Sequence, residues 1–175
     1  MENCYSIRSQ RSIKMEYDST KDTMSHIYNI QWVWTHLVRP QLDERFDKHD
    51  QSKLENPEKA CYDKYIPMLQ ETKYGTPEYY EIKDKMAKEG LQHHYAVNNH
   101  HPEHFKNGIE DMNLIDFIEH ILDCYAASLN SDTGFDAGMQ KNMERFHYPR
   151  ELMEIIHNTS SEVFKGQKPT DNPYK

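Results

Sequence analysis

The stretch "NLIDFIEHILDCYAAS", residues 113–128, decides the fold class. Leu114, Ile115, Ile118, Ile121, Leu122 and Tyr125 recur at helical spacing. Asp116, Glu119, His120 and Asp123 fall at i, i+3, i+4 and i+7, one polar stripe on an otherwise apolar helix. Asn113 starts the helix, and Asp116, three residues on, gives it a capping-box pattern. A polar stripe is ordinarily the wet face of such a helix. Asp123, however, is flanked by Leu122, Tyr125 and Ala126, so its carboxylate is expected to point partly inward, where a buried acid needs a cation.

The same periodicity extends outward. Met24, Ile27, Ile30, Trp34, Leu37 and Val38 predict a helix capped by Asp22 or Thr23 and stopped by Pro40. QLDERFDKHDQSK predicts a second, with His49 and Asp50 near its end. Residues 58–69 predict a third, which Pro67 is expected to kink or end. Thr76-Pro77 opens a fourth, expected to run to about residue 101, where Pro102 ends it. Residues 130–138 read as a loop and residues 149–164 as a last helix. No strand pattern appears. The expected fold is all-α, with a flexible arm over 1–19, one helical domain over 20–164 and a disordered tail over 165–175.

Composition narrows the function. A formal charge of −8 excludes a broad footprint on polymeric nucleic acid, which requires basic surface, but leaves room for a small anionic ligand held through a metal. Cys4, Cys61 and Cys124 form an odd set without CxxC spacing, which points to a reducing compartment. The start lacks an apolar leader segment, and no run approaches the roughly 20 apolar residues of a membrane span. The expected location is the cytoplasm; the oligomeric state is left open.

"HHYAVNNHHPEH", residues 93–104, holds five histidines in twelve positions. On a helix, residues seven apart lie within about 20° of one another. His94 and His101 would share a face with Asn98 between them, and His93 and His100 would form a second pair. Imidazole at this density points to divalent-metal binding. "KHDQSK", residues 48–53, sets His49 beside Asp50 and places Lys53 three residues later, suited to an anionic phosphate.

In order, His26, His49-Asp50 with Lys53, His94, His100-His101 and Asp123 resemble the HD-domain superfamily of metal-dependent phosphohydrolases, over about residues 20–130. The pattern is similar to those of HD-type cyclic-dinucleotide phosphodiesterases and inositol-oxygenase-like di-iron enzymes. It looks closest to a phage and bacterial branch with an H-xxx-N-x-HH core. The resemblance implies a compact helical bundle. His26, His49, Asp50 and Asp123 would hold one metal, with Asp50 able to bridge. His94 with His100, His101 or both would hold a second, and Asn98 and Lys53 would face substrate. The short His94–His100 spacing and the absence of a GYP-like segment point away from cyclic dinucleotides.

The implied cofactor is one or two divalent ions, with Fe, Mn, Zn, Co, Ni and Mg all admissible. The implied activity is hydrolysis of a nucleotide or small phosphoester, with catalysis resting on Asp50 and Lys53. Two alternatives are a di-iron oxygenase and a non-catalytic metal-binding module. Glu58 and His104 are candidates for proton transfer, and His36 is a rival to His26. Glu119 is expected to be solvated or supporting. His93, His104 and His120 are expected at the surface or in support, and Trp32 and Trp34 in the core or a pocket wall.

Overall fold

The structure is a computed structural model that describes residues 17–129 and 134–174. These residues are mostly helical and contain no strand, so the protein is all-α. The helices are α1 Thr20–Val33, α2 Arg39–Lys48, α3 Glu58–Glu71, α4 Pro77–Met86, α5 Gln92–Val97, α6 Leu114–Ser128, α7 Phe135–Phe146 and α8 Arg150–Thr159. None is long and apolar enough to cross a membrane. Most of the expected N-terminal arm lies outside the described residues. Residues after the π turn Ser160–Phe164 are non-helical and almost all exposed.

The chain divides into two units, Met1–Arg39 and Pro40–Lys175. In the first, α1 begins one residue after Ser19, earlier than the expected cap. Pro40 does not stop the helical path. The π turn Trp34–Val38, closed by Arg39 N–H on Trp34 O, widens the backbone just before the proline. Trp32 and Trp34, expected in a core, are exposed, as are Met24, Ile27 and Ile30. Among its described residues this unit contains only α1 and the π turn, so the unit itself supplies no second layer for the apolar side.

The second unit holds two buried clusters. Cys61, Tyr65, Ile82 and Met86 join α3 to α4. Ile121, Phe135, Met139, Tyr148 and Ile156 join α6, α7 and α8. Thr76 caps α4 by accepting Tyr79 N–H at 3.2 Å, with Pro77 at the first helical position, as its sequence predicts. Pro67 sits inside α3, which continues to Glu71. Helix α7 corrects the sequence reading. Residues 130–138 were expected as a loop, but the helix starts at Phe135, because burial of Phe135 and Met139 outweighs the poor helix propensity of Gly138.

Gly90 packs directly against Cys61 of α3. A Cβ there would meet Cys61 Sγ at 2.5 Å and Cys61 Cβ at 2.6 Å. Gly90→Ala is expected to destabilise the fold by about 1–3 kcal/mol through overpacking. A lower denaturant midpoint at unchanged m-value would show it. Gly90→Ala/Cys61→Ala, which removes the opposing sulfur, should recover most of the loss.

Candidate metal centre

Helix α2 ends at Lys48, and the next two residues turn sharply. Asp50 adopts the left-handed conformation (φ 56°, ψ 13°), which Asp tolerates better than most residues. This turn solves a problem of direction. On a continuing helix His49 and Asp50 would point about 100° apart. Here His49 Nε2 lies 3.5 Å from Asp50 Oδ2. The 3₁₀ turn Gln51–Leu54 then returns Lys53, whose ammonium donates to Asp50 Oδ2 at 2.5 Å and sits 5.6 Å from the Tyr62 ring centre.

The histidine-rich stretch differs from expectation. Its helix runs through a π turn, Ala87–Leu91, into α5 and ends at Val97, four residues before the expected stop. Asn98 leaves the helix in an extended conformation. Its side-chain amide donates to His94 O at 2.9 Å and to Ser52 Oγ at 2.9 Å. That satisfies a terminal carbonyl and pins the turn to residue 52. Pro102 acts one residue upstream, holding His101 extended. His94 and His101 therefore do not share a helix face. The turn over 98–101 still brings their Nε2 atoms to 2.8 Å and buries His100 beside them. Asn98, expected to face substrate, braces this turn.

Helix α6 supplies the third wall. Its capping box forms as read: Asn113 Oδ1 accepts from Ile115 and Asp116 N–H, and Asp116 Oδ2 accepts Asn113 N–H. Most of the polar stripe, however, is dry. Asp116, Glu119 and His120 are buried. Asp116 accepts from Arg45 at 2.8 Å and Asn99 at 3.0 Å. His120, expected at the surface or in support, is buried with Nε2 hydrogen-bonded to Tyr148 Oη at 2.5 Å. Asp123 Oδ1 lies 3.5 Å from His49 Nε2.

Two glutamates carry more than their sequence context suggested. Glu119 accepts from His49 Nδ1 at 2.8 Å and Arg45 Nε at 2.5 Å and lies 3.2 Å from His100 Nδ1. Glu58, with no exposed surface, accepts from His93 Nδ1 at 2.7 Å, His94 Nδ1 at 2.8 Å and Ser52 Oγ at 3.0 Å. Its oxygens are thus committed inside the protein, against the proton-transfer role considered for it. His104, the other candidate, is exposed and tied to Tyr95 O at 2.9 Å. His93 is partly exposed, yet it shares Glu58. Neither Glu58 nor Glu119 belongs to a short recognisable motif; only the polar stripe on α6 hinted at Glu119.

With Nδ1 occupied, His49, His94 and His100 turn Nε2 toward Asp50. His94 Nε2 is 3.4 Å and His100 Nε2 3.5 Å from Asp50 Oδ1. Two overlapping groups have ligand atoms within 4.8 Å of one another: Asp50, His94, His100 and His101, and His49, Asp50, His100 and Asp123. Ligands bonded at ~2.1 Å to one cation lie ~3–4 Å apart, so these spacings suit a metal ion. Asp50 Oδ1 and His100 Nε2 are buried without a hydrogen-bond partner, although they face each other. His26, the remaining expected ligand, is exposed on α1 in the first unit and belongs to neither group. His36, its rival, donates Nδ1–H to Trp32 O.

Charge favours the same reading. Asp50, Glu58, Asp116, Glu119 and Asp123 converge against Arg45 and Lys53. Hydrogen bonds to Asp123 and Glu119 raise His49 to about 10. Burial pushes Asp123 up, but the His49 hydrogen bond and the charges of His100 and His49 outweigh it and hold it at about 2. Burial, with His100 and His94 beside it, lowers His101 to about 3 and keeps its imidazole neutral. Burial likewise lowers His94. His101 and His94 are thus held in the neutral form that binds metal, beside ionised carboxylates, whereas His49 keeps its proton until a cation displaces it.

No curated protein and no solved structure matches the chain. A family profile described as "Family of unknown function (DUF5662)" matches residues 15–167, a span that contains α1 through α8 and every residue of both ligand groups. The chain belongs to that family.

Proposed function

We propose that this chain is a metal-dependent phosphohydrolase of HD-domain type, acting on a nucleotide or small phosphoester through a mono- or dinuclear His/Asp centre. The observation that carries the reading is the pair of buried, unpartnered atoms Asp50 Oδ1 and His100 Nε2, set among further nitrogen and oxygen ligands with a lysine at the rim. When bound, one or two divalent ions supply Lewis acidity toward a phosphoryl group and bring the pKa of a water toward neutrality. His49, His94, His100, His101, Asp50 and Asp123 are the residues that would hold them. Asp50 Oδ1 faces His94 and His100 and its Oδ2 faces His49, so its carboxylate could reach both groups. Lys53 is partly exposed and already turned to the cluster, so its ammonium can swing from Asp50 to a phosphate oxygen. The chain's net charge of −8 suits a small anion drawn to a local cation better than a polymer.

Elemental analysis of protein purified without added metal tests the first step. The expected result is one or two transition-metal equivalents per chain, removed by chelator together with activity in a screen of nucleotides and phosphoesters. Iron with a visible absorption band and substrate-dependent O₂ uptake would assign a di-iron oxygenase instead. A metal bound with no exchangeable water and no turnover would assign a structural site.

A further inference from the structure

We infer that Glu58 and Glu119 are positioning residues of unequal reach: Glu119 sets the imidazoles of both metal positions, and Glu58 sets those of one. The inference rests on the metal-centre reading above and concerns how the centre is held. Each glutamate faces the Nδ1 atoms of two histidines, at 2.7–3.2 Å. A carboxylate on Nδ1 fixes the tautomer, leaves the lone pair on Nε2 and aims it. The two differ in which rings they aim. Glu119 holds His49, of the group with Asp123, and faces His100, whose single free Nε2 shares Asp50 Oδ1 with His94 Nε2 and so serves the group with His94 and His101. Glu58 holds His94, which occurs only in the group with His101; its other partner, His93, occurs in neither.

Their supports differ too. Arg45 braces Glu119 from behind through Nε and is itself held by Asp116, so the α2 end and α6 are tied at this point. Glu58 stands at the start of α3 and is braced by Ser52, which also receives Asn98 Nδ2. Glu58 therefore couples the histidine-rich turn to the 3₁₀ turn after Asp50. The geometry assigns each glutamate a distinct set of imidazoles, and the consequence is graded loss of metal.

Titration of chelator-treated protein with Co²⁺, read by visible absorption and calorimetry, tests this in the wild type, Glu58→Gln and Glu119→Gln. The wild type is expected to take two equivalents. Glu58→Gln should keep one at unchanged affinity and weaken the other by about 10–100-fold, the usual loss when a ligand's hydrogen-bond partner is removed. Glu119→Gln should weaken both. Equal weakening of both ions in Glu58→Gln, or one ion left untouched in Glu119→Gln, would overturn the inference while leaving the metal reading intact. A wild type that binds a single Co²⁺ overturns the inference alone, and one that binds none overturns the metal reading as well. Should either variant fail to fold, ¹⁵N NMR of the metal-free wild type decides: His49, His94 and His100 must carry a proton on Nδ1, and an unprotonated Nδ1 at His94 or His100 refutes the arrangement.

Discussion

Asp50→Asn is expected to empty both metal positions and abolish hydrolysis without unfolding the protein. Asp50 is common to both ligand groups, with Oδ1 facing His94 and His100 and Oδ2 facing His49. Removing its charge therefore weakens every ion the site can hold. Asparagine is the informative replacement, because the residue sits at φ 56°. Asn tolerates that conformation, whereas alanine would add roughly 1–2 kcal/mol of backbone strain to the loss of ligand. The measurement is thermal unfolding with and without added metal. An ion at 100 times its Kd stabilises the wild type by about 2.7 kcal/mol, and Asp50→Asn should lose that increment while its metal-free midpoint stays close to that of the wild type. His49→Ala should behave alike in metal content and activity. Full turnover in the metal-free Asp50→Asn/His49→Ala double variant would sink the hydrolase reading.

Lys53→Met is expected to separate catalysis from metal binding. The ammonium contacts Asp50 Oδ2, but it is no metal ligand, and its positive charge opposes a nearby cation. Methionine keeps most of the apolar stem beside Tyr62, so packing changes little. Metal content should persist, with affinity equal to the wild type or tighter. The rate of phosphoester hydrolysis should fall by about 10²–10³ in kcat/KM, the loss that follows removal of one fixed donor to a developing charge. Inorganic phosphate should also inhibit the variant more weakly than the wild type. Loss of metal with Lys53→Met would give the lysine a structural role and remove it from substrate binding.

Part of this site was legible because its chemistry is local. His49-Asp50 with Lys53, the histidines of 93–104 and Asp123 stand out as residue types and spacings, and a helical periodicity needs only the neighbouring turns. The remainder depended on contacts between residues distant in sequence. Glu119 and His49 are separated by 70 positions and Glu58 and His94 by 36, so nothing local marks either glutamate as an imidazole partner. The α6 stripe shows the same limit. Periodicity separates a polar face from an apolar one but does not say whether another element covers it. Here Arg45, His49, His100 and Tyr148 cover it, and Asp116, Glu119 and His120 are buried.

The order of residues by itself determined that the chain is helical, that Asn113 and Thr76 begin helices, and that histidine and aspartate gather in two short stretches. These follow from backbone preference, capping and composition, which act over a few residues. The tertiary structure alone decided that α5 stops at Asn98, that α7 forms despite Gly138, and that His94 meets His101 through a turn. It also decided that two buried glutamates aim the imidazoles. Those outcomes depend on which distant groups satisfy a terminal carbonyl, a buried apolar face or an Nδ1 proton, and such partners exist only once the chain has folded.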